Sequence, residues 1–381
     1  MALDGSQIQN AIYISGESRW PVGAGSWEEL ARDTLDPGPF GYIAGGAGNE
    51  STMRANLDAF ERRRLRPRML SGNAARDGSV EVLGTPSPVP FFLAPIGVLS
   101  IAHPDGEVAV ARAAASMRIP FVLSSAASHS IEEIAEAMGD APRWFQLYWV
   151  NDRDICASFV RRAEAAGFSA IVVTLDTLTL GWRPRDLQNA YLPFLSGQGC
   201  AQFFSDPVFR AKLDAPPEED QLTAAAMMLA TFPNLALTWD DLRWLRGQTK
   251  LPLLVKGVLT AEDARRAVDA GIDGIAVSNH GGRQVDGAVA SLDALVEVRA
   301  AVDVPLLVDG GIRGGADVVK ALCVGADAVL LGRPYAYGLA VGGEEGVLAV
   351  LEQFAGETDL TLALLGAHGV AELDASWIAA S

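Results

Sequence analysis

Eight short apolar runs, separated by helix-like stretches, constrain the fold of this 381-residue chain more than any other feature. Runs of this length that are flanked by Pro or Gly are typical of buried parallel strands. Helical patterns such as GEVAVARAAASM and GADVVKALCV lie between most of them. In chain order the runs are PFFLAPIG (90–97), PFVLSS (120–125), WFQLYW (144–149), AIVVTLD (170–176), LPLLVKG (251–257), GIAVSN (274–279), VPLLVDG (304–310) and AVLLGR (328–333).

The chain also repeats itself around these runs. Three segments share a helical stretch, a turn glycine and an apolar strand: AAGFSAIVVT (165–174), DAGIDGIAVS (269–278) and CVGADAVLLG (323–332). A second pair, LPLLVKG and VPLLVDG, places Lys256 and Asp309 at equivalent positions. Eight β/α units with internal repeats predict an α/β fold, a (β/α)8 TIM barrel. An open, doubly wound sheet is the second possibility.

We interpret residues 1–381 as a single domain. Within it, 1–85 are predicted to form an N-terminal helical cover and 86–375 the barrel. Residues 177–250, after the fourth run, have little strand character. A connection of that length in a compact barrel usually has a function, and we expect a lid insertion that closes over the site.

Charge and composition restrict the possible partners. The net charge of −17 should repel nucleic acid and anionic membranes. No run reaches the roughly 18 apolar residues that span a bilayer, and the N-terminus lacks a secretory pattern. The three cysteines (Cys156, Cys200 and Cys323) are far apart, which argues against a metal site or a disulfide framework. We therefore expect a cytoplasmic protein with no metal and with neither nucleic acid nor a membrane as partner.

Polar residues or glycines follow strand after strand, where the chemistry of a barrel is found. They are Ser124, Gln146, Tyr148, Thr174, Asp176, Lys256, Ser278, His280, Asp309, Arg313, Gly332 and Arg333. The stretch SNHGGRQ (278–284) places His280, one of only four histidines, among glycines at the end of the sixth run. An imidazole titrates near neutral pH and can accept a proton there. Taken alone, the heptad leaves a structural histidine equally open.

The last two loops predict a phosphate site. DGGIRGGADVV and LLGRP place glycine N–H groups and two arginines, Arg313 and Arg333, where helices begin. The ligand would be FMN or a phosphorylated substrate. Lys256 could form a Schiff base, as in an aldolase or isomerase, or place positive charge beside a flavin ring. A flavin-binding sensor or storage protein without enzymatic activity is a third interpretation.

The motifs in order resemble those of the FMN-dependent 2-hydroxy acid oxidases, over roughly residues 27 to 375. They are YIAGGAGNE, RPRML, LAPIG, FQLYW, TLDTLTLGWRPRD, LVKGV, SNHGGRQ, DGGIRGGADVVKAL and LGRPYAYG. Within that family, GWRPRDL followed by PFL and DPVF is most similar to the lactate 2-monooxygenases. The resemblance implies FMN as cofactor, a lactate-like L-2-hydroxy acid as substrate, O2 as acceptor and a tetrameric or octameric homo-oligomer.

The resemblance also implies residue roles. His280 would be the base, oriented by Asp176. The substrate would be surrounded by Tyr42, Tyr148, Arg183, His280 and Arg283, with both tyrosines acting in catalysis. Two guanidinium groups suit a carboxylate, which they can bind bidentately. FMN would be held by Pro95, Ile96, Gly97, Ser124, Gln146, Thr174, Lys256, Ser278, Asp309, Gly311, Arg313, Gly332 and Arg333. Arg185 is expected to be a salt-bridge partner, and Trp149 and Trp182 packing aromatics.

Two features bear on substrate and outcome. Ala126, in LSSAAS, stands where glycolate oxidases carry an aromatic residue, so we expect room for a side chain larger than methyl, such as that of mandelate. A closed lid would retain the keto acid beside peroxide and lead to oxidative decarboxylation. A looser lid would release keto acid and hydrogen peroxide. The GWRPRDL segment favours retention.

Overall fold

A closed barrel of eight parallel strands forms the centre of the molecule. The computed structural model describes residues 4–379, so residues 1–3 and 380–381 of the predicted domain bounds lie outside the described residues. The strands are β1 (Val80–Val82), β2 (Thr85–Ser87), β3 (Phe91–Leu93), β4 (Phe121–Ser124), β5 (Arg143–Tyr148), β6 (Ile171–Thr174), β7 (Leu253–Val258), β8 (Gly274–Val277), β9 (Leu306–Val308) and β10 (Ala328–Leu331). Strands β3 to β10 follow chain order around the barrel, and β10 pairs with β3. The predicted TIM barrel is confirmed, and the open sheet is wrong.

Helices follow the barrel strands and precede them at the N-terminus. They are α1 (Gly5–Ser15), α2 (Ala24–Thr34), α3 (Pro37–Ala44), α4 (Ser51–Glu61), α5 (Gly106–Ser116), α6 (Ile131–Met138), α7 (Arg153–Ala165), α8 (Pro184–Gln188), α9 (Ala201–Phe204), α10 (Pro207–Arg210), α11 (Gln221–Thr231), α12 (Trp239–Arg246), α13 (Ala261–Asp269), α14 (Ser291–Arg299), α15 (Gly315–Cys323) and α16 (Arg333–Leu365). Short 3-10 turns occupy Leu99–Ile101, Pro193–Ser196, His280–Gly282, Val370–Glu372 and Ala375–Trp377. α16 is broken by non-helical backbone at Gly342 and Gly343. No helix in the described part of the chain has the length and apolar content needed to cross a membrane.

Side chains alternate between the barrel interior and the surrounding helices, as the period of a strand requires. The interior cluster contains Phe92, Val122, Trp144, Val172, Leu254, Ala276, Leu307 and Leu330. The intervening residues of the strands belong to the larger core that packs against the helices. The antiparallel hairpin of β1 and β2, which the sequence did not predict, closes one end by packing Val80, Val82 and Leu83 against the interior cluster.

The same alternation explains the polar residues at the other end of the barrel. Two residues beyond each inward apolar side chain, the next inward position is polar in six strands: Ser124, Gln146, Thr174, Lys256, Ser278 and Asp309. Strand register then sets neighbours side by side, with Ser124 opposite Gln146 and Thr174 opposite Lys256. The inward-facing side chains are therefore apolar near the β1–β2 hairpin and mostly polar at the carboxyl ends of the strands.

The N-terminal helices reach this carboxyl end. α1 and α2 pack on α16, α3 packs on α8, and α4 packs on the His280–Gly282 turn. The segment 177–250 contains α8 to α12 and the turn Pro193–Ser196, and α12 directly precedes β7. Tyr42, at the end of α3, and the first part of the 177–250 segment are thereby brought to the same side of the barrel.

Candidate active site

His280 and Asp176 form a hydrogen-bonded pair at the carboxyl ends of β8 and β6. The backbone of His280 is left-handed (φ 57°), in a turn whose Gly282 N–H donates to the Asn279 side chain at 3.1 Å. Nδ1 of His280 lies 2.8 Å from Oδ1 of Asp176. The same oxygen accepts a 2.9 Å hydrogen bond from the Thr177 hydroxyl. This contact assigns the Nδ1 proton to the bond with Asp176, so Nε2 keeps a lone pair that can accept a proton.

Burial and charge set the protonation of this pair. Burial lowers the pKa of His280, and the nearby Lys256 ammonium lowers it further, while the Asp176 carboxylate acts in the opposite direction. Burial alone would raise the pKa of Asp176, but His280 and Lys256 hold that pKa below its usual value. We therefore assign a charged carboxylate next to a neutral imidazole, which is the resting state that a general base requires.

Two arginines lie beside the pair. Nη1 of Arg283 donates to the carbonyls of Tyr42 (2.6 Å) and Gly45 (2.8 Å), and its guanidinium lies 5.2 Å from the centre of the Tyr42 ring. Burial lowers the pKa of Arg283 to about 9, and the like charges of Arg183 and Arg333 add to this effect. Because cations crowded in a buried space repel one another, an anion bound among them is strongly favoured.

The two tyrosines lie on the same cavity. The ring of Tyr148 stacks on His280 at 6.4 Å between centroids, and the ring of Tyr42 meets Tyr191 edge-on at 6.3 Å. Burial raises the pKa of Tyr148, so its hydroxyl stays protonated and can donate a hydrogen bond. A cavity of about 270 Å³ is lined by all five predicted substrate residues, namely Tyr42, Tyr148, Arg183, His280 and Arg283.

The predicted cofactor residues divide into two groups. Nine line the same cavity: Pro95, Ile96, Gly97, Lys256, Asp309, Gly311, Arg313, Gly332 and Arg333. The other four, Ser124, Gln146, Thr174 and Ser278, are buried and do not line it. They are linked instead by side-chain hydrogen bonds of 2.9 Å from Ser124 to Gln146, 2.9 Å from Gln146 to Thr174 and 2.7 Å from Lys256 to Ser278.

The donor set of the cavity fits FMN. Oδ2 of Asp309 pairs with Lys256 at 2.8 Å, whereas Oδ1 is buried without a hydrogen-bond partner in the described residues and suits a ribityl hydroxyl. Gly310 and Gly311 have φ of 90° and 89°, a backbone conformation that favours glycine. Both lie against Asn56, so a side chain at either position would clash with that residue. Arg313 and Arg333, near the beginnings of α15 and α16, would hold the phosphate. When bound, FMN supplies the centre that accepts two electrons.

Several lining residues were missed by the sequence reasoning. An apolar wall of the cavity consists of Ala126, Leu180, Phe194, Leu229, Phe232 and Pro233. The ring of Phe232 lies 5.1 Å from that of Tyr148 and 6.3 Å from that of Phe194. Ala126 was expected beside the substrate side chain, whereas the other five come from the 177–250 segment. Leu180 and Phe194 lie in the quoted motifs TLDTLTLGWRPRD and PFL but were given no role in the pocket, and Leu229, Phe232 and Pro233 lie in no quoted motif. Thr177 also lines the cavity and was missed, although its position next to Asp176 was a usable signal.

Other residues singled out in the sequence have structural contacts. Arg185 pairs with Glu50 at 2.7 Å, as expected. Trp149 is buried and packs on Trp244, but Trp182 is 74% exposed, so the expectation of a packing role for Trp182 is wrong. Among residues 4–379, no cluster of three or more His, Cys, Asp or Glu side chains is placed to hold a metal ion.

Comparison with known proteins gives relatives along nearly the whole chain. The FMN-dependent dehydrogenase family matches residues 31–380. An FMN-dependent alpha-hydroxy acid dehydrogenase (qulF) of Penicillium citrinum is 45% identical over 91% of this chain and 87% of its own length. An L-lactate oxidase of Lysinibacillus sphaericus is 40% identical over 94% of this chain and 92% of its own length.

Solved structures agree in fold. A mandelate oxidase is 40% identical, with a TM-score of 0.84, over 94% of this chain and 98% of that chain. A chimera of (S)-mandelate dehydrogenase is 37% identical, with a TM-score of 0.85, over 94% of this chain and 99% of that chain. These matches overturn the aldolase and storage-protein interpretations. The chain belongs to the FMN-dependent dehydrogenase family and is an FMN-dependent oxidoreductase that oxidises 2-hydroxy acids with O2.

Proposed function

We propose that this enzyme prefers L-2-hydroxy acids with an apolar side chain larger than methyl, and that it releases the 2-keto acid and hydrogen peroxide. The observation that carries the substrate preference is the apolar wall of Ala126, Leu180, Phe194, Leu229, Phe232 and Pro233. It begins beside Tyr148 and offers no charged group to a substrate side chain. The relatives named L-lactate oxidase and mandelate oxidase support O2 as acceptor, which in this overall reaction takes both electrons and both protons to become H2O2.

Each polar residue of the site has a role in this proposal. Arg183 and Arg283 bind the substrate carboxylate and so fix the orientation of the reacting carbon. The hydroxyls of Tyr42 and Tyr148 hydrogen-bond the carboxylate or the substrate hydroxyl. Nε2 of His280 takes a proton from the substrate, and Asp176 stabilises the imidazolium that results. Lys256 places a positive charge where electron density accumulates.

The substrate preference is tested by comparing L-lactate with L-mandelate. Purified protein is mixed anaerobically with each acid while the oxidised flavin absorbance is followed. We expect faster bleaching with L-mandelate. In Ala126→Trp the indole would fill part of the space beside the apolar wall. The value of kcat/KM for mandelate should therefore fall by about 10-fold or more, because the loss of a side-chain pocket costs roughly 1–3 kcal/mol. The value for lactate serves as the internal control and should change little. An unchanged ratio of the two values would refute the assignment.

A second candidate is the oxidative decarboxylation of a lactate-like acid. Its support is the 177–250 segment, the proposed lid, which contributes Leu180, Phe194, Leu229 and Phe232 to the cavity and could retain the keto acid. The fate of oxygen separates the two candidates. One mole of hydrogen peroxide and one of keto acid per mole of O2 supports the oxidase. Carbon dioxide and a shortened acid, with little peroxide, supports the monooxygenase.

Assembly and location are further proposals. We propose a homo-oligomer, a tetramer or octamer, in the cytoplasm. The three free cysteines are all buried, which is compatible with a reducing compartment. Surface-exposed apolar side chains such as Ile14, Met69 and Leu364 are available for contacts between copies. Light scattering of the purified holoenzyme gives the mass, and a monomer across micromolar concentrations would contradict the oligomer.

A further inference from the structure

Gln284, the last residue of SNHGGRQ, has no role in the chemistry described above. Its side chain nevertheless lies between the loop that carries His280 and the segment that carries Asp176 and Arg183. Nε2 donates to the carbonyls of Asp176 (2.8 Å) and Thr179 (2.9 Å). Oε1 accepts from the backbone N–H of Gly181 (3.3 Å) and from Nη2 of Arg183 (3.0 Å). A single amide therefore makes four hydrogen bonds to the segment 176–183.

Outside Gln284 and Arg283, that segment has few hydrogen bonds. The Trp182 and Leu178 carbonyls accept from the N–H groups of Gly48 (2.9 Å) and Asn234 (3.0 Å), and the Asp176 side chain contacts His280. Between the end of β6 and the start of α8 the backbone forms no helix or strand. The segment approaches the catalytic loop closely at Gly181, where a side chain would lie 2.5 Å from the Arg283 carbonyl. A polar backbone without regular structure needs partners, and an amide that both donates and accepts can supply them at both ends.

Arg183 depends on the same contacts. Its Nε donates to the Arg283 carbonyl at 3.2 Å and its Nη2 to Gln284, while Asp186 lies at the limit of an ion pair, 4.0 Å from Nη1. Arg183 is 7% exposed, so little water reaches its guanidinium to replace these partners. The direction of this side chain is thus determined by two acceptors on the loop that also carries His280.

We propose that Gln284 is a positioning residue that holds the Arg183 guanidinium where the substrate carboxylate binds. Through its hydrogen bond to the Asp176 carbonyl, it also connects Arg183 to the His280–Asp176 pair. The inference rests on the proposed role of Arg183 in binding the substrate carboxylate. Gln284 itself touches neither substrate nor cofactor in this scheme. Its loss should weaken the binding of carboxylates and leave ligands without a carboxylate unaffected.

Gln284→Met keeps the length and shape of the side chain and removes all four hydrogen bonds. The probes are pyruvate and pyruvamide, whose dissociation constants are read from the perturbation of the oxidised flavin spectrum of the holoenzyme. We expect pyruvate binding to weaken by about 10-fold, equivalent to ~1.4 kcal/mol of lost positioning. Pyruvamide binding should change by less than about 2-fold, because it has no carboxylate for Arg183 to hold. FMN content should match that of the wild type.

Two further variants isolate the mechanism. Gln248→Met is the matched control, since the Gln248 side chain makes one long hydrogen bond of 3.5 Å, to the Trp244 carbonyl, and does not line the cavity. This variant should bind both probes as the wild type does. In an Arg183→Met background, Gln284→Met should add less than about 2-fold to the loss of pyruvate binding, because the partner through which Gln284 acts is gone. If Gln284→Met does not fold, Gln284→Asn, which withdraws the amide by one methylene, replaces it with the same expectations.

The outcomes are distinguishable. If Arg183→Met binds pyruvate as tightly as the wild type, the role of Arg183 in the proposed function fails. If Arg183→Met weakens pyruvate binding but Gln284→Met does not, the positioning role alone is overturned. Equal weakening of pyruvate and pyruvamide in Gln284→Met would also overturn it, because a general disturbance of the loop would then account for the effect.

Discussion

Replacing Asp176 by Asn tests the assignment of the base most directly. The substitution conserves shape and leaves an amide oxygen 2.8 Å from Nδ1 of His280, so the hydrogen bond can persist. It removes the negative charge that stabilises the imidazolium. Asp176 does not line the cavity, so the binding of FMN and substrate should remain close to that of the wild type.

The expected loss can be worked from the geometry. Two unit charges 2.8 Å apart attract by roughly 6 kcal/mol at the effective permittivity of about 20 that suits protein sites. Desolvation offsets part of this attraction, and the imidazolium charge is only partly formed in the transition state. We therefore expect a loss of about 3–5 kcal/mol, which is roughly 10²- to 10⁴-fold in rate and comparable to the effect of removing the orienting carboxylate of a catalytic triad.

The assay is anaerobic stopped-flow reduction of the bound flavin by saturating substrate. Asp273→Asn is the matched control, because Asp273 is a carboxylate that pairs with Arg246 (2.9 Å) and accepts from the backbone N–H of Leu253 at the start of β7, away from the site. It should reduce at the wild-type rate. A rate for Asp176→Asn within about 3-fold of wild type, in protein with full FMN content, would refute the view that this charge stabilises the imidazolium.

Three further predictions concern pH, the cofactor site and the backbone. Because burial lowers the pKa of His280, kcat/KM should fall as pH drops through that depressed pKa, below the usual histidine value of about 6.5. It should stay constant from neutral pH until Arg283, whose pKa burial lowers to about 9, begins to lose its charge; an acid-side loss that begins above about pH 7 would contradict this. Lys256→Met leaves the buried Asp309 unpaired and should cost about 3–5 kcal/mol of stability in denaturant unfolding, with loss of FMN, whereas an unchanged midpoint would show the pair to be dispensable. Gly311→Ala places a Cβ 2.5 Å from the Asn56 carbonyl at φ 89° and should lower the free energy of unfolding by about 2–3 kcal/mol. Gly287 has a similar φ of 86° but open space around it, so Gly287→Ala should show only the backbone strain of about 1 kcal/mol. Equal midpoints for the two glycine variants would mean that the close approach to Asn56 carries no cost.

The barrel and the polar ends of its strands could be predicted because both are local properties of the sequence. Each apolar run corresponds to one barrel strand, and six of the runs end where the inward position turns from apolar to polar, as at Leu254 and Lys256. Parallel strands in a closed barrel bring all their carboxyl ends to one side. Once the eight runs were counted, residues as distant in sequence as Asp176 and His280 could therefore be expected in the same place, and the resemblance to a known family named their roles.

Only the tertiary structure decided which side chains complete the site. Apart from Ala126, the apolar wall comes from short helices and turns in 177–250, whose residues Leu229 and Phe232 have no motif signal that distinguishes them from core. Phe194 lies in the motif PFL, but that motif alone did not place it in the pocket. The amide of Gln284 and the carbonyl of Asp176 are separated by 108 positions, and no local pattern encodes their contact. Strand patterns and glycine turns act over a few residues, so sequence determines them directly. Contacts between loops depend on where the whole barrel places the loop ends, and they exist only after it has closed.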